Sequence, residues 1–216
     1  MASAKPSGTR LRSLDEICRQ CPVIAVLTVH DVRTAQALAK SLVAGGVRVL
    51  EITLRSTDAL DAIRAMSGVE NAIVGAGTIV SAGQVQDVVD AGAVFGVSPG
   101  FSPAILHECR RAGFPLLPGV STATEIMSAR DHGIDIVKFF PAEAAGGRAM
   151  LRSFLAPFPD IRFCPTGGLT EHNTPDYLGM SNVICAGGSW VAPASAVGDG
   201  DWAEITRLAR IASSFR

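Results

Sequence analysis

Eight short aliphatic runs alternate with eight helix-length amphipathic stretches from one end of the chain to the other, and few folds accommodate that rhythm. The runs lie at 23–29, 47–53, 72–76, 94–97, 115–117, 134–139, 161–164 and 183–186. Helical patterns fall at 32–44, 58–66, 82–91, 103–112, 123–132, 148–155 and 171–177, with a last one at 201–213. Ala44-Gly45-Gly46, Ala91-Gly92, Ala112-Gly113 and His132-Gly133 each stop a helix just before the next strand. Near-continuous apolar strands, each followed by a helix, belong to a parallel sheet buried on both faces. Eight such units in 216 residues predict one α/β domain over 1–216, a (β/α)₈ TIM barrel. Residues 1–10 read as a flexible tail, and an N-terminal helix within 11–21 is placed to cap the barrel bottom. A doubly wound sheet would want Gly-x-Gly-x-x-Gly after its first strand; the chain has Val29-His30-Asp31 there.

Composition narrows the function classes. A net charge of −1 supplies no basic field to recruit nucleic acid or an anionic membrane. The longest apolar runs are strand-length, and residues 1–13 lack the apolar core of a signal peptide, so the expectation is a soluble, cytoplasmic protein. Five cysteines, an odd number in apolar or helical contexts, do not form a disulfide framework. Cys18-Arg-Gln-Cys21 has the spacing of a redox or metal pair, but no second pair or nearby histidines complete a zinc site. The four histidines are widely separated, so neither a metal nor a cofactor is expected.

Lys138 stands out within Ile134-Asp135-Ile136-Val137-Lys138-Phe139-Phe140-Pro141. The chain has three lysines against sixteen arginines, and only this one ends an apolar strand between phenylalanines. Desolvation favours the neutral amine, the form that attacks a carbonyl to give a Schiff base. A lysine snorkelling to the strand end, or paired with a carboxylate, is the alternative. Parity turns Lys138 inward with Ile134 and Ile136, and puts Phe140 on the same side as a pocket wall.

In the second strand, Glu51, Thr53 and Arg55 share one face and Leu50, Ile52 and Leu54 the other. With the aliphatic face against the helices, the polar one lines the lumen. Glu51 and Arg55 then make either a structural ion pair or a general acid/base beside a carboxylate-binding fork. Gly75-Ala76-Gly77-Thr78 allows close approach of a ligand, although Thr78 also suits a helix N-cap. Ser98-Pro99-Gly100 and Pro118-Gly119-Val120-Ser121 read as turns first and site walls second. Thr166-Gly167-Gly168 and Gly187-Gly188-Ser189 close the last two strands with matched glycine pairs, where backbone N–H groups can hold a phosphate.

The segments Gly45-Gly46-Val47-Arg48-Val49-Leu50-Glu51-Ile52-Thr53-Leu54-Arg55, Val74-Gly75-Ala76-Gly77-Thr78, Lys138-Phe139-Phe140-Pro141-Ala142-Glu143, Cys164-Pro165-Thr166-Gly167-Gly168 and Gly187-Gly188-Ser189-Trp190 resemble the KDPG/KHG aldolase family. The resemblance runs in order over roughly 23–193. It implies a homotrimeric class I aldolase that splits 2-keto-3-deoxy-6-phosphogluconate into pyruvate and glyceraldehyde 3-phosphate in the Entner–Doudoroff pathway. It also implies that Lys138 forms the Schiff base, that Glu51 shuttles protons, and that Arg55 and Thr78 hold the pyruvyl carboxylate. Phe140 and Pro99 would wall the imine, Thr166 would line the sugar, and Gly167, Gly168, Gly188 and Ser189 would take the phosphate. The galactonate epimer and 4-hydroxy-2-ketoglutarate are further substrates in the family. Some relatives carry a basic residue at the end of strand one, where this chain has Leu27-Thr28-Val29-His30. A phosphosugar isomerase, with Glu51 as base and Lys138 as a fixed cation, and a non-catalytic phosphosugar sensor are the other readings of the same residues.

Overall fold

The computed structural model describes residues 13–215. The tail expected over 1–10 and the start of the helix expected at 11–21 lie outside the described residues. The helix itself, α1 (Leu14–Cys18), opens on a capping box in which Ser13 and Glu16 satisfy each other's backbone N–H groups. Next come β1 (Val23–Leu27), α2 (Val32–Ala44), β2 (Val49–Thr53), α3 (Ala59–Ser67), β3 (Ile73–Gly77) and α4 (Gln84–Asp90). The middle of the chain forms β4 (Gly96–Val97), α5 (Pro103–Arg111), β5 (Leu116–Leu117), β6 (Gly119–Val120), α6 (Ala123–Asp131) and β7 (Ile136–Phe139). The rest is α7 (Gly147–Phe154), β8 (Arg162–Pro165), α8 (Thr174–Leu178), β9 (Ala186–Gly188), α9 (Ala194–Asp199) and α10 (Trp202–Ser214).

The result is an α/β fold of curled parallel sheet. One sheet runs β5-β4-β3-β2-β1-β9 and the other β6-β7-β8. Parallel bridges Phe163–Val183 and Thr166–Gly187 link β8 to the chain leading into and through β9. The fifth aliphatic run forms β5, paired with β4, and beyond Pro118 the segment expected as a turn adds a second short strand, Gly119–Val120, paired with β7. Proline has no N–H to donate, which suits a point where the chain changes partners.

Alternation sorts the strand residues. Leu50 and Ile52 join Val23, Ala25 and Leu27 under the helices, alongside Leu42 and Ile63. Ile24, Val49, Ile73, Val97, Leu117, Ile136 and Cys164 face one another and pack on Ile17 and Cys18 of α1. Burying each large aliphatic side chain of these layers stabilises the fold by about 2 kcal/mol relative to exposure. Around β7 and β8 the rings of Phe139, Phe154 and Phe163 meet at 5.9–6.5 Å between centroids.

Several expectations need adjusting. Ile134 precedes β7 and packs on the outer clusters, so it does not share the inward direction of Ile136 and Lys138. α9 is an addition, since no helix is expected between the run at 183–186 and the helix at 201–213. The described cysteines are all free and buried. Hydrogen-bonded thiols of Cys164 and Cys18, together with burial, push the Cys185 thiol well up, and burial pushes Cys21 up. A buried thiol held protonated in this way is a poor nucleophile at Cys21. Among the described residues no helix is long and apolar enough to cross a membrane, and no group of three His, Cys, Asp or Glu side chains could hold a metal ion.

Candidate active site

β2 is paired on both sides, with Glu51 opposite Val26 of β1 and Gly75 of β3, so its side-chain direction is fixed by two ladders. The Glu51 side chain is 3% exposed. A Cβ on Gly77 would fall on its carboxylate, and one on Gly75 would fall on the Phe95 ring. The glycines of β3 therefore make room for the protein's own Glu51 and Phe95, rather than for a ligand as their place at a strand end suggested.

Lys138, 87 residues further on, reaches the same spot from β7. Its Nζ lies 3.2 Å from Glu51 Oε1, its side chain is 7% exposed, and the Phe140 ring centroid is 5.0 Å away. Gly119, its neighbour across the ladder, has no space for a Cβ because the Pro99 carbonyl occupies it, which brings the Pro99 turn up to this strand pair. Burying two charges costs several kcal/mol per ion before their attraction offsets it, so the pair is weak as a stabilising device. As chemistry it places an amine within one proton transfer of a carboxylate, out of bulk water.

Arg55 does not pair with Glu51, which disposes of the structural ion pair between them. Its Nε donates to Thr53 Oγ1 at 3.1 Å; Thr53 donates to the Leu27 carbonyl at 2.9 Å and is 2.9 Å from Thr28 Oγ1. Arg55 is thus steered from two residues beyond Glu51 on the same face. It lines a cavity of about 580 Å³ with Thr28, His30, Ser189 and Trp190. Asp31, also on that wall, is occupied by Arg33 at 2.8 Å, which leaves the Arg55 guanidinium free to meet an anion. Lys138 and Glu51 sit in the interior and do not line this cavity.

Thr78 is not a helix cap. The next helix, α4, begins at Gln84, and Thr78 has φ +61°, a left-handed conformation that a β-branched residue rarely adopts. Hydrogen bonds on either side, from Leu54 N–H to the Gly77 carbonyl and from Ile79 N–H to the Val97 carbonyl, hold it there. Strain of this kind gathers at sites where function requires it. Thr78→Gly is accordingly expected to raise the unfolding free energy by about 1 kcal/mol by relieving that strain. Chemical denaturation checks this; a destabilised variant would mean that no strain is stored at Thr78.

The two glycine pairs differ. Gly167 and Gly168 form a turn with φ +102° and +80°. Its carbonyls are occupied: Thr166 O accepts from Ala142 N–H at 2.8 Å, Gly167 O from Glu143 N–H at 3.1 Å, and Gly168 O from Asn173 Nδ2 at 3.3 Å. Among the described residues no protein group accepts from the N–H of Gly168. That is a turn suited to an anion. It abuts the site, since a Cβ on Gly167 would lie 3.4 Å from the Phe140 ring. Gly187 and Gly188, by contrast, lie in β9 and pair with β1, so they are not a second turn. Their Cβ positions are filled by the Thr166 side chain and by the Trp190 indole. Ser189 follows at the cavity rim.

Sequence reasoning gave no role to Thr53 and Thr28, which orient Arg55, or to Glu143 and Tyr177. Tyr177 is 1% exposed and its hydroxyl donates to Glu143 Oε1. Burial, and then the Glu143 carboxylate, push that hydroxyl far up, so it stays a donor. The parity of β2 pointed to Thr53; nothing in the spacing links Glu143 with Tyr177.

The chain is similar to known proteins along nearly its whole length. The family model described as KDPG and KHG aldolase matches residues 14–208. A 2-dehydro-3-deoxy-phosphogluconate aldolase of Pseudoalteromonas atlantica is 49% identical over 199 residues, 92% of this chain and 93% of that one. The 2-keto-3-deoxy-6-phosphogluconate aldolase of Zymomonas mobilis, solved with 3-phosphoglycerate, superposes with a TM-score of 0.91 at 44% identity, over 95% of this chain and 97% of that one. The KDPG aldolase of Legionella pneumophila, solved with pyruvate captured at low pH as a covalent carbinolamine intermediate, gives a TM-score of 0.90 at 40% identity, over 93% and 98%. With a buried lysine–glutamate pair at its centre and similarity along nearly its whole length, the chain belongs to the KDPG and KHG aldolase family.

Proposed function

We propose that this chain is a class I aldolase that cleaves 2-dehydro-3-deoxy-6-phosphogluconate to pyruvate and D-glyceraldehyde 3-phosphate, the aldol step of the Entner–Doudoroff pathway. The observation that carries the reading is the Lys138–Glu51 pair, 3.2 Å apart and almost fully buried. Nζ of Lys138, as the free amine, attacks C2 of the keto acid, and Glu51 delivers the proton that turns the carbonyl oxygen into the hydroxyl of a carbinolamine. Glu51 then takes back a proton from the newly quaternised nitrogen and passes it to that hydroxyl, which departs as water and leaves an iminium, with Glu51 again a carboxylate. The carboxylate of Glu51 then takes the C4 hydroxyl proton through a water molecule. The C3–C4 bond breaks, its electrons enter the iminium to give an enamine, and C4 departs as the aldehyde of glyceraldehyde 3-phosphate. Protonation of C3 from Glu51 and hydrolysis release pyruvate and restore the amine.

Arg55, steered by Thr53, and Thr78 hold the carboxylate end in this reading, with Phe140 and Pro99 beside the imine. Thr166 lines the sugar portion. The phosphate end belongs to the turn of Gly167 and Gly168, with Gly188 and Ser189 completing its surroundings; the strand position of Gly188 makes its part a matter of space for the backbone rather than of a turn. The same site accommodates the galactonate epimer and, with lower affinity, 4-hydroxy-2-oxoglutarate.

The accompanying fold reading is a single domain over 1–216, a (β/α)₈ barrel in which the β8–β9 bridges complete the ring and α1 caps the bottom. We also assign the chain to the cytoplasm and to a homotrimer.

Substrate selectivity tests the assignment. Supplied with each acid in turn, the protein is expected to form equimolar pyruvate and glyceraldehyde 3-phosphate from the phosphorylated gluconate acid. Its kcat/KM there should exceed that for 4-hydroxy-2-oxoglutarate by roughly 10²-fold, the worth of a few hydrogen bonds to a charged group. Absence of pyruvate from every acid would refute the assignment.

A further inference from the structure

Five residues after Lys138, Glu143 is tied to three parts of the fold at once. Its N–H and that of Ala142 donate to the carbonyls of Gly167 and Thr166, which continues the β7–β8 pairing beyond the strand ends. Its stem fills the space above Gly168: a Cβ there would lie 2.7 Å from both Cβ and Cγ of Glu143. Its carboxylate accepts from Tyr177, whose ring is buried with Phe139, Leu151 and Phe163 and so forms a rigid post. Gly147, at φ +55°, leaves room beside that contact, since a Cβ there would be 3.0 Å from the Tyr177 hydroxyl.

We propose that Glu143, anchored by Tyr177, is a positioning residue that seats the Gly167–Gly168 turn against the Lys138 strand and thereby sets the affinity for the phosphate end of the substrate. The inference rests on that turn being the phosphate site. A negative charge close to a bound phosphate is unfavourable, so the carboxylate is not there to contact the ligand. What the turn needs from Glu143 is its stem and its anchoring acceptor atom. Glutamine keeps both and alanine neither, while Tyr177→Phe removes only the anchoring hydroxyl.

The experiment compares Glu143→Ala, Tyr177→Phe and Glu143→Gln with the wild type in three readouts. These are KM for the phosphorylated acid, the inhibition constant of competing inorganic phosphate, and KM for pyruvate in methyl-proton exchange, which uses only the Lys138 half of the site. Glu143→Ala and Tyr177→Phe are expected to raise the first two about fivefold, the scale of one partly exposed hydrogen bond to a charged group. Exchange KM and kcat should stay within about twofold, and Glu143→Gln should restore wild-type phosphate affinity, since no charge is called for. Circular dichroism confirms folding, and Tyr177→Phe, which loses a single oxygen, is the variant that keeps the test decisive. Unchanged phosphate inhibition in both impaired variants would overturn the proposal, as would an equal rise in pyruvate KM or a Glu143→Gln variant as impaired as Glu143→Ala. Failure of the phosphate-site reading is seen separately, in the wild type, as no competition by inorganic phosphate.

Discussion

Lys138→Arg is expected to abolish aldol cleavage, by roughly 10⁴-fold or more in kcat, in a protein that still folds. Arginine keeps the positive charge that faces Glu51 at 3.2 Å, but a guanidinium does not give up its proton and offers no free amine to attack a ketone. The substitution therefore separates nucleophilic from electrostatic roles. Were Lys138 only a fixed cation stabilising an enolate, as in the isomerase reading of the sequence, arginine would preserve a substantial part of the rate. The larger head group must fit where the lysine is 5% exposed, and overpacking there costs about 1–3 kcal/mol. Thermal unfolding by circular dichroism shows whether the fold withstands that cost. A folded variant that retains a tenth of wild-type kcat would refute Schiff-base chemistry at this residue.

Glu51→Gln should act on both rate and stability. Glutamine occupies nearly the same volume and still accepts a hydrogen bond, but it cannot carry a proton between steps. Loss of a general acid/base costs about 10²–10⁴-fold in kcat. Removing one partner of a buried ion pair is destabilising by about 3–5 kcal/mol when the other charge is left uncompensated, and glutamine's retained carbonyl should hold the loss to the lower end. Steady-state kinetics and urea unfolding check the two. A variant of wild-type stability with a large kcat deficit would mean that the pair contributes nothing to the fold; one of wild-type kcat would remove Glu51 from the chemistry.

Both residues could be read from the sequence because strand parity is a strong constraint where it applies. β2 is hydrogen-bonded on both edges, so its alternation of Leu50, Ile52 and Glu51, Thr53 translates directly into outside and inside. The same rule misplaced Ile134, because β7 begins only at Ile136 and parity carries no information outside a strand. α2 was legible to its ends, since Asp31 caps it through its carboxylate and Gly45-Gly46 stops it. α9 was not, because Pro193 and its small residues give neither a cap nor an apolar stripe.

Glycine was the least transparent residue type. Gly167-Gly168 and Gly187-Gly188 look alike in the sequence, yet one pair turns the chain through positive φ and the other stays in a strand because of what packs against it. Thr78 carries no local sign of its left-handed backbone, which is imposed by the hydrogen bonds of its neighbours. The Tyr177–Glu143 contact joins residues 34 apart and follows from how α8 packs, which local pattern cannot report.

The most direct test of the central claim is to incubate the protein with pyruvate and borohydride and to map the product by peptide mass spectrometry. A reduced pyruvyl adduct on the peptide carrying Lys138, absent from Lys138→Arg, is the result this account predicts. Folded protein that acquires no adduct, or acquires it on Lys40 instead, would contradict it.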